Sequence, residues 1–165
     1  ARVARNARAI CALFSRPATF DRKGMTMSSG LPVLDRNIDV TNEWLNQIAE
    51  VTGGSKQQAY HVLRRGLHVL RDRVTVEEAA HLAAQLPHFV RGLFYESYRP
   101  SATPTKERSL EEFLDRLAED LPDGIEPRLA ANALFTVLKL HCDPGELAHV
   151  REALPGPVAE VMEAA

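Results

Sequence analysis

Three features of the sequence point to an all-α protein, a compact helical bundle made of two tandem three-helix repeats related by pseudo-twofold symmetry. Apolar residues recur every three or four positions from residue 39 onward, and no convincing run alternates with period two. Four segments carry helix-start chemistry: Ser55-Lys-Gln-Gln58, Thr75-Val-Glu-Glu78 and Ser109-Leu-Glu-Glu112 have the capping-box pattern, and Asp143-Pro-Gly-Glu146 is a variant with proline at the first helical position. The order of helices and breaks then returns after about seventy residues, at an offset of 68 over most of its length and 69 at the first helix.

Residues 1–38 are expected to form a poorly structured basic leader. Residues 1–24 hold Arg2, Arg5, Arg8, Arg16, Arg22 and Lys23 against Asp21, a net +5; residues 25–165 carry −7, giving −2 for the chain. An Arg-rich, acid-poor start with Val3, Ile10, Leu13 and Phe14 has the composition of a transit peptide or a surface-binding helix. Because Met25 and Met27 stand just before Ser28-Ser29-Gly30, the leader is read instead as lying outside the native protein.

The helical domain is expected over 39–161, with repeat one at 39–95, a linker at 96–108 and repeat two at 109–161. A first helix, Thr41 to Val51, places Trp44, Leu45, Ile48 and Val51 on one face and stops at Gly53-Gly54. A second runs from Ser55 to Val74 and should bury Ala59, Val62, Leu63, Leu67 and Leu70. A third begins at Thr75 and should bury Val76, Ala79, Leu82, Ala83 and Leu86. Pro87 lacks a backbone donor and forces a kink or restart before Phe89, Val90, Leu93 and Phe94. In the second copy Phe113-Leu114 answers Trp44-Leu45, Asp123-Gly124 takes the place of Gly53-Gly54, and Val137-Leu138 answers Val69-Leu70. Glu146, His149 and Leu154-Pro155 correspond to Glu78, His81 and Leu86-Pro87. One amphipathic triplet presents more apolar face than it can bury, so the copies should pack on each other.

The stretch Glu78-Ala-Ala-His-Leu-Ala-Ala-Gln-Leu-Pro87, followed by Arg91-Gly92 and Phe94-Tyr95-Glu96, resembles the signature of the bacterial family known as domain of unknown function 2267. Gly145-Glu146, Val150-Arg151 and Ala153-Leu154-Pro155 extend the resemblance, which covers about residues 40–160. Tyr98 stands where a Trp is common in that pattern, a difference of packing rather than chemistry. The resemblance implies a compact helical domain and brings no activity, cofactor or catalytic residue with it.

The sharpest chemical pattern is Glu78-x-x-His81 with Glu146-x-x-His149, half of a ferritin-like di-iron constellation. The other half needs a carboxylate on each of two neighbouring helices, and neither Ser55–Arg71 nor Pro127–His141 contains one. Both glutamates also stand at capping positions, so no metal or other cofactor is expected. His61/His68 and His81/His88 are each seven apart, on one face of their helices, but Leu129, Thr136 and Gly156 replace three of them in the second copy. Lys56, Arg64, Arg65, Arg71 and Arg73 make the second helix basic, a candidate grip on nucleic-acid phosphates, yet no helix-turn-helix spacing or stacking platform accompanies it.

The join between copies concentrates Arg91, Phe94, Tyr95, Tyr98 and Arg99 in a chain with only 6% aromatic residues, a composition suited to a partner surface or to sealing the seam. His141 and Cys142 are adjacent and so point about 100° apart on a helix, which makes no catalytic dyad. Phosphate-loop and dinucleotide glycine patterns are absent. With two cysteines, Cys11 and Cys142, and no apolar run of eighteen residues, the reading is a cytoplasmic protein without a membrane span. The expected function is a non-enzymatic protein-interaction or regulatory module whose partner the sequence does not specify. Metal binding through the Glu-x-x-His pairs and nucleic-acid association through the basic helix are the alternatives.

Overall fold

A computed structural model describes residues 29–165, and these form eight α-helices, one 3-10 turn and no strand. Residues 1–28, the larger part of the expected leader, lie outside the described residues.

Helix α1 (Pro32–Thr52) begins nine residues before the expected Thr41, so residues 32–38 of the expected leader are helical. Local chemistry sets this start. Pro32 occupies the first helical position, and Asp35 in the first turn accepts from the Ser29 backbone N–H at 2.9 Å and hydroxyl at 2.8 Å. The apolar residues of this early part remain exposed, which is why core periodicity does not mark it. Gly53 ends the helix at φ 68°, a left-handed conformation that glycine adopts without a Cβ clash.

Helices α2 (Lys56–Arg73) and α3 (Val76–Gln85) start at the expected capping boxes, with Ser55 and Gln58, then Thr75 and Glu78, exchanging both bonds. The Leu86-Pro87 break is a restart, giving a separate short helix α4 (His88–Tyr95). Pro87 offers no side-chain acceptor to this helix; Asn37 of α1 supplies one, accepting from the His88 backbone N–H at 3.0 Å. The remaining helices are α5 (Leu110–Ala118), α6 (Pro127–His141), α7 (Pro144–Ala153) and α8 (Gly156–Ala164). The last is set off by Leu154-Pro155 as α4 is by Leu86-Pro87.

Helices α2 and α6 cross at the centre of the bundle, and α1 packs on both. Gly66 lets α2 approach closely: a Cβ there would stand 2.9 Å from Leu134 Cδ2 on α6. Trp44, Ile48, Leu63, Leu67, Leu70, Phe94, Phe113, Leu134 and Phe135 are fully buried in one core. Each contributes about 1.5–3 kcal/mol by leaving water. Two expected core positions are not in it. Val76, at the first turn of α3, is 47% exposed, and Phe89, at the first turn of α4, is 52% exposed.

The expected linker 96–108 is tied to α2 along its length. It contains the 3-10 turn Pro100–Ala102 and a cis Thr103–Pro104 peptide. The Thr105 N–H donates to Asp72 O at 2.8 Å, and Arg73 Nε donates to Glu107 O at 3.0 Å. Arg71, 3% exposed, donates to the carbonyls of Phe94 and Glu96 and pairs with Asp72 at 2.8 Å. Backbone groups that a loose linker would leave to water are thus satisfied by α2.

Candidate functional site

An apolar groove of about 750 Å3 lies between the first turns of α1 and the start of α4. Val33, Leu34 and Ile38 line it from α1, and Phe89 closes its far side. Ile38 is 54% exposed and Val33 58%, so the stripe is open to solvent. The Asn37 cap on His88 holds the two walls together. An exposed, contiguous cluster of large apolar side chains is characteristic of a binding surface, whereas isolated ones are ordinary. Asn42 borders both this groove and a polar depression lined by Asp39, Glu43 and Glu50. Helix α1 carries four acids against one base, Arg36, so the groove runs beside an acidic face.

Sequence reasoning did not single out this site. Val33, Leu34 and Ile38 do stand at helical spacing, alongside Asn37 and Thr41, but they precede the core periodicity and fell within the expected leader. The signal that could have found them is Pro32 followed by Asp35 in a first turn.

The four Glu-x-x-His residues do come together. Helices α3 and α7 pack on each other, and Glu78, His81, Glu146 and His149 line one cleft of about 500 Å3. Their geometry is asymmetric. The Glu78 carboxylate accepts from the Thr75 N–H and hydroxyl, both at 2.9 Å, and is committed to its cap. At α7 the Asp143 side chain takes the capping role for Gly145 and Glu146, contrary to the expectation that Glu146 closes its own box. Glu146 is thereby released toward α3, where Oε2 lies 3.4 Å from His81 Nδ1 in an ion-pair position and makes no hydrogen bond. Among the described residues no group of three or more His, Cys, Asp or Glu side chains is arranged to hold a metal ion.

The basic residues of α2 are mostly engaged within the bundle. Arg64 Nε donates to Glu96 at 2.6 Å, which raises the guanidinium and holds the Glu96 carboxyl below its ordinary range. Arg65 donates to Arg116 O and to Glu119 at 2.6 Å. Arg71 is buried as described, and Lys56 is exposed at the first turn of α2. His68 of the same helix sits 2.7 Å from Leu93 O, with burial lowering its pKa.

The segment from Arg91 to Arg99 is partly internal. Arg91 caps the end of α3 through Ala83 O at 2.7 Å, Ala84 O at 3.0 Å and Leu86 O at 3.1 Å. Phe94 is fully buried, and Tyr98 is half-buried beneath Arg71, 4.8 Å from guanidinium to ring centroid. Tyr95 (40%) and Arg99 reach the surface. His141 donates through Nε2 to Gln47 at 2.8 Å and stacks on Trp44 at 5.0 Å rather than engaging Cys142, whose thiol burial pushes up to about 11.

An all-helical fold with an open apolar groove is the class these observations define. The family model described as "Uncharacterized conserved protein (DUF2267)" matches residues 41–161, and the chain belongs to that family. No similar sequence was found among curated proteins. No helix among the described residues is long and apolar enough to cross a membrane.

Proposed function

We propose that this chain is a non-enzymatic protein-interaction module, built from two tandem copies of one helical unit, whose α1/α4 groove holds a basic amphipathic helix of a protein partner. The carrying observation is the open apolar wall of Val33, Leu34, Ile38 and Phe89. A groove of this kind suits helix-in-groove recognition, in which residues at helical spacing insert as anchors. The charge of the partner follows from the acidic face shared through Asn42 and from the −7 of residues 25–165, which together favour a cationic helix over an anionic one. The repeat supports the same reading. Features common to both halves, the caps and Leu-Pro breaks, serve folding, whereas Val33, Leu34 and Ile38 of the groove stand ahead of the repeated pattern.

The test is direct binding of two labelled synthetic helices to the whole chain, one with leucines at helical spacing among lysines and one with the same leucines among glutamates. The lysine peptide should bind with an affinity that weakens as salt rises, and Ile38→Ser/Phe89→Ser should reduce it at least tenfold. Equal binding of both peptides, or unchanged affinity in the double variant, contradicts the reading. Dimerisation of the chain abolished by the same variant would replace the partner helix with a second copy. Competition by a peptide of residues 1–24 would assign the groove to the chain's own basic segment.

A further inference from the structure

We infer a second binding site, for a phosphoryl group, in the polar cavity where α2, the linker and α5 meet. The cavity measures about 210 Å3, and its lining includes Arg71, Arg99, Arg116, Asp72, Ser97 and Thr105. Three guanidiniums and the Asp72 carboxylate line it, and Arg116 also pairs with Glu107 at 2.6 Å, which leaves one guanidinium in excess in a body whose net charge is −7. The Asp72 oxygens are both occupied: Oδ1 accepts from Arg71 Nε at 2.8 Å and Oδ2 from Arg116 Nη2 at 3.0 Å. Arg71 and Arg116 are therefore fixed in place by structural bonds and matched in charge by Asp72 and Glu107, so the excess positive charge of the cavity is that of Arg99. Arg99 differs from them. Among the described residues its side chain makes no hydrogen bond or ion pair, although it lines the same cavity and lies one residue before the 3-10 turn.

Fixed guanidiniums beside one unpaired arginine can recognise an oxyanion, because guanidinium N–H forks match phosphate oxygens and charge assistance strengthens each bond. Ser97, held in the left-handed region at φ 55°, adds a hydroxyl-bearing residue to the wall. The volume is several times the ~30 Å3 share of one water molecule, room for a phosphoryl group with a small organic remainder. The ligand class is a small phosphomonoester or inorganic phosphate. Polymeric nucleic acid is disfavoured, because the neighbouring arginines Arg64 and Arg65 that would extend a backbone track are paired with Glu96 and Glu119.

Isothermal titration of the full chain with inorganic phosphate and with O-phosphoserine, at constant ionic strength set with chloride, tests this site. Saturable one-to-one binding is expected, and Arg99→Ala should weaken it at least tenfold, the loss of one charge-assisted pair. Arg99 is exposed and holds no structural side-chain bond, so the variant should fold with unchanged thermal stability in chloride. Arg128→Ala, an exposed arginine on α6, should bind as the wild type does. Tighter binding of O-phosphoserine than of phosphate identifies a monoester ligand, and equal binding identifies the free anion. Absence of saturable binding to the wild type, or wild-type affinity in Arg99→Ala, overturns the inference.

Discussion

The Arg71 guanidinium lies 4.8 Å above the Tyr98 ring centroid while donating to the carbonyls of Phe94 and Glu96, so one α2 side chain fastens the end of α4 and the start of the linker. Replacing it leaves two carbonyls without their donor and removes one of the two partners of Asp72. Arg71→Met should lower unfolding free energy by roughly 3 kcal/mol, the lower end for breaking a buried pair, because Arg116 still holds Asp72. Lys56→Ala, on the exposed first turn, should stay within about 0.5 kcal/mol of the parent. Urea denaturation of both variants checks the contrast, and equal losses would show that Arg71 is no staple.

Acid sensitivity should come in two windows. His68 and His141 both have pKa values lowered by burial, so the folded state resists protonation that the unfolded chain accepts near 6.5. Stability is therefore constant at higher pH and declines as pH falls through the unfolded value. Urea midpoints should drop between pH 7.5 and 5.5, and His141→Gln should flatten that decline. A lower window belongs to Glu107. Burial acts to raise this carboxyl, but the Thr105 hydroxyl and Arg116 beside it outweigh that and hold it low. Its contribution persists above about 4.5 and disappears as pH falls through the depressed value.

Much of the bundle was legible because its signals are local. The Ser55/Gln58, Thr75/Glu78 and Ser109/Glu112 boxes all form, and Leu86-Pro87 and Leu154-Pro155 each end one helix and begin another. The α1 start was missed because Val33, Leu34 and Ile38 stay about half exposed, and core periodicity cannot mark the turns of a helix that lie outside the core. Val76 and Phe89 match the apolar spacing but stand at first turns where their faces open to solvent. The engagement of the α2 arginines within the bundle was not legible because their partners lie far along the chain, Arg65 with Glu119 and Arg73 with Glu107 O. Spacing alone likewise brought Glu78, His81, Glu146 and His149 to one cleft, but not the rotation of the Glu146 carboxylate away from its cap.

Cys142 should be inert while the protein is folded. It is 6% exposed, and its thiol is pushed up to about 11 by burial, leaving almost no thiolate at pH 8. In a Cys11→Ser background, a disulfide reagent should fail to modify the native chain within minutes and should react rapidly in 8 M urea, roughly the concentration that unfolds a small domain. Rapid native reaction would mean that the α6 end opens readily.

Residue-resolved mapping of a bound peptide tests the interaction reading most directly. Backbone amide spectra of the isotope-labelled chain, titrated with the leucine-lysine helix, should change at Val33, Leu34, Asn37, Ile38 and Phe89 and stay constant at Tyr95 and Arg99. Changes confined to the Tyr95/Arg99 surface, or absent at saturating peptide, would contradict the assignment of the α1/α4 groove as the binding site.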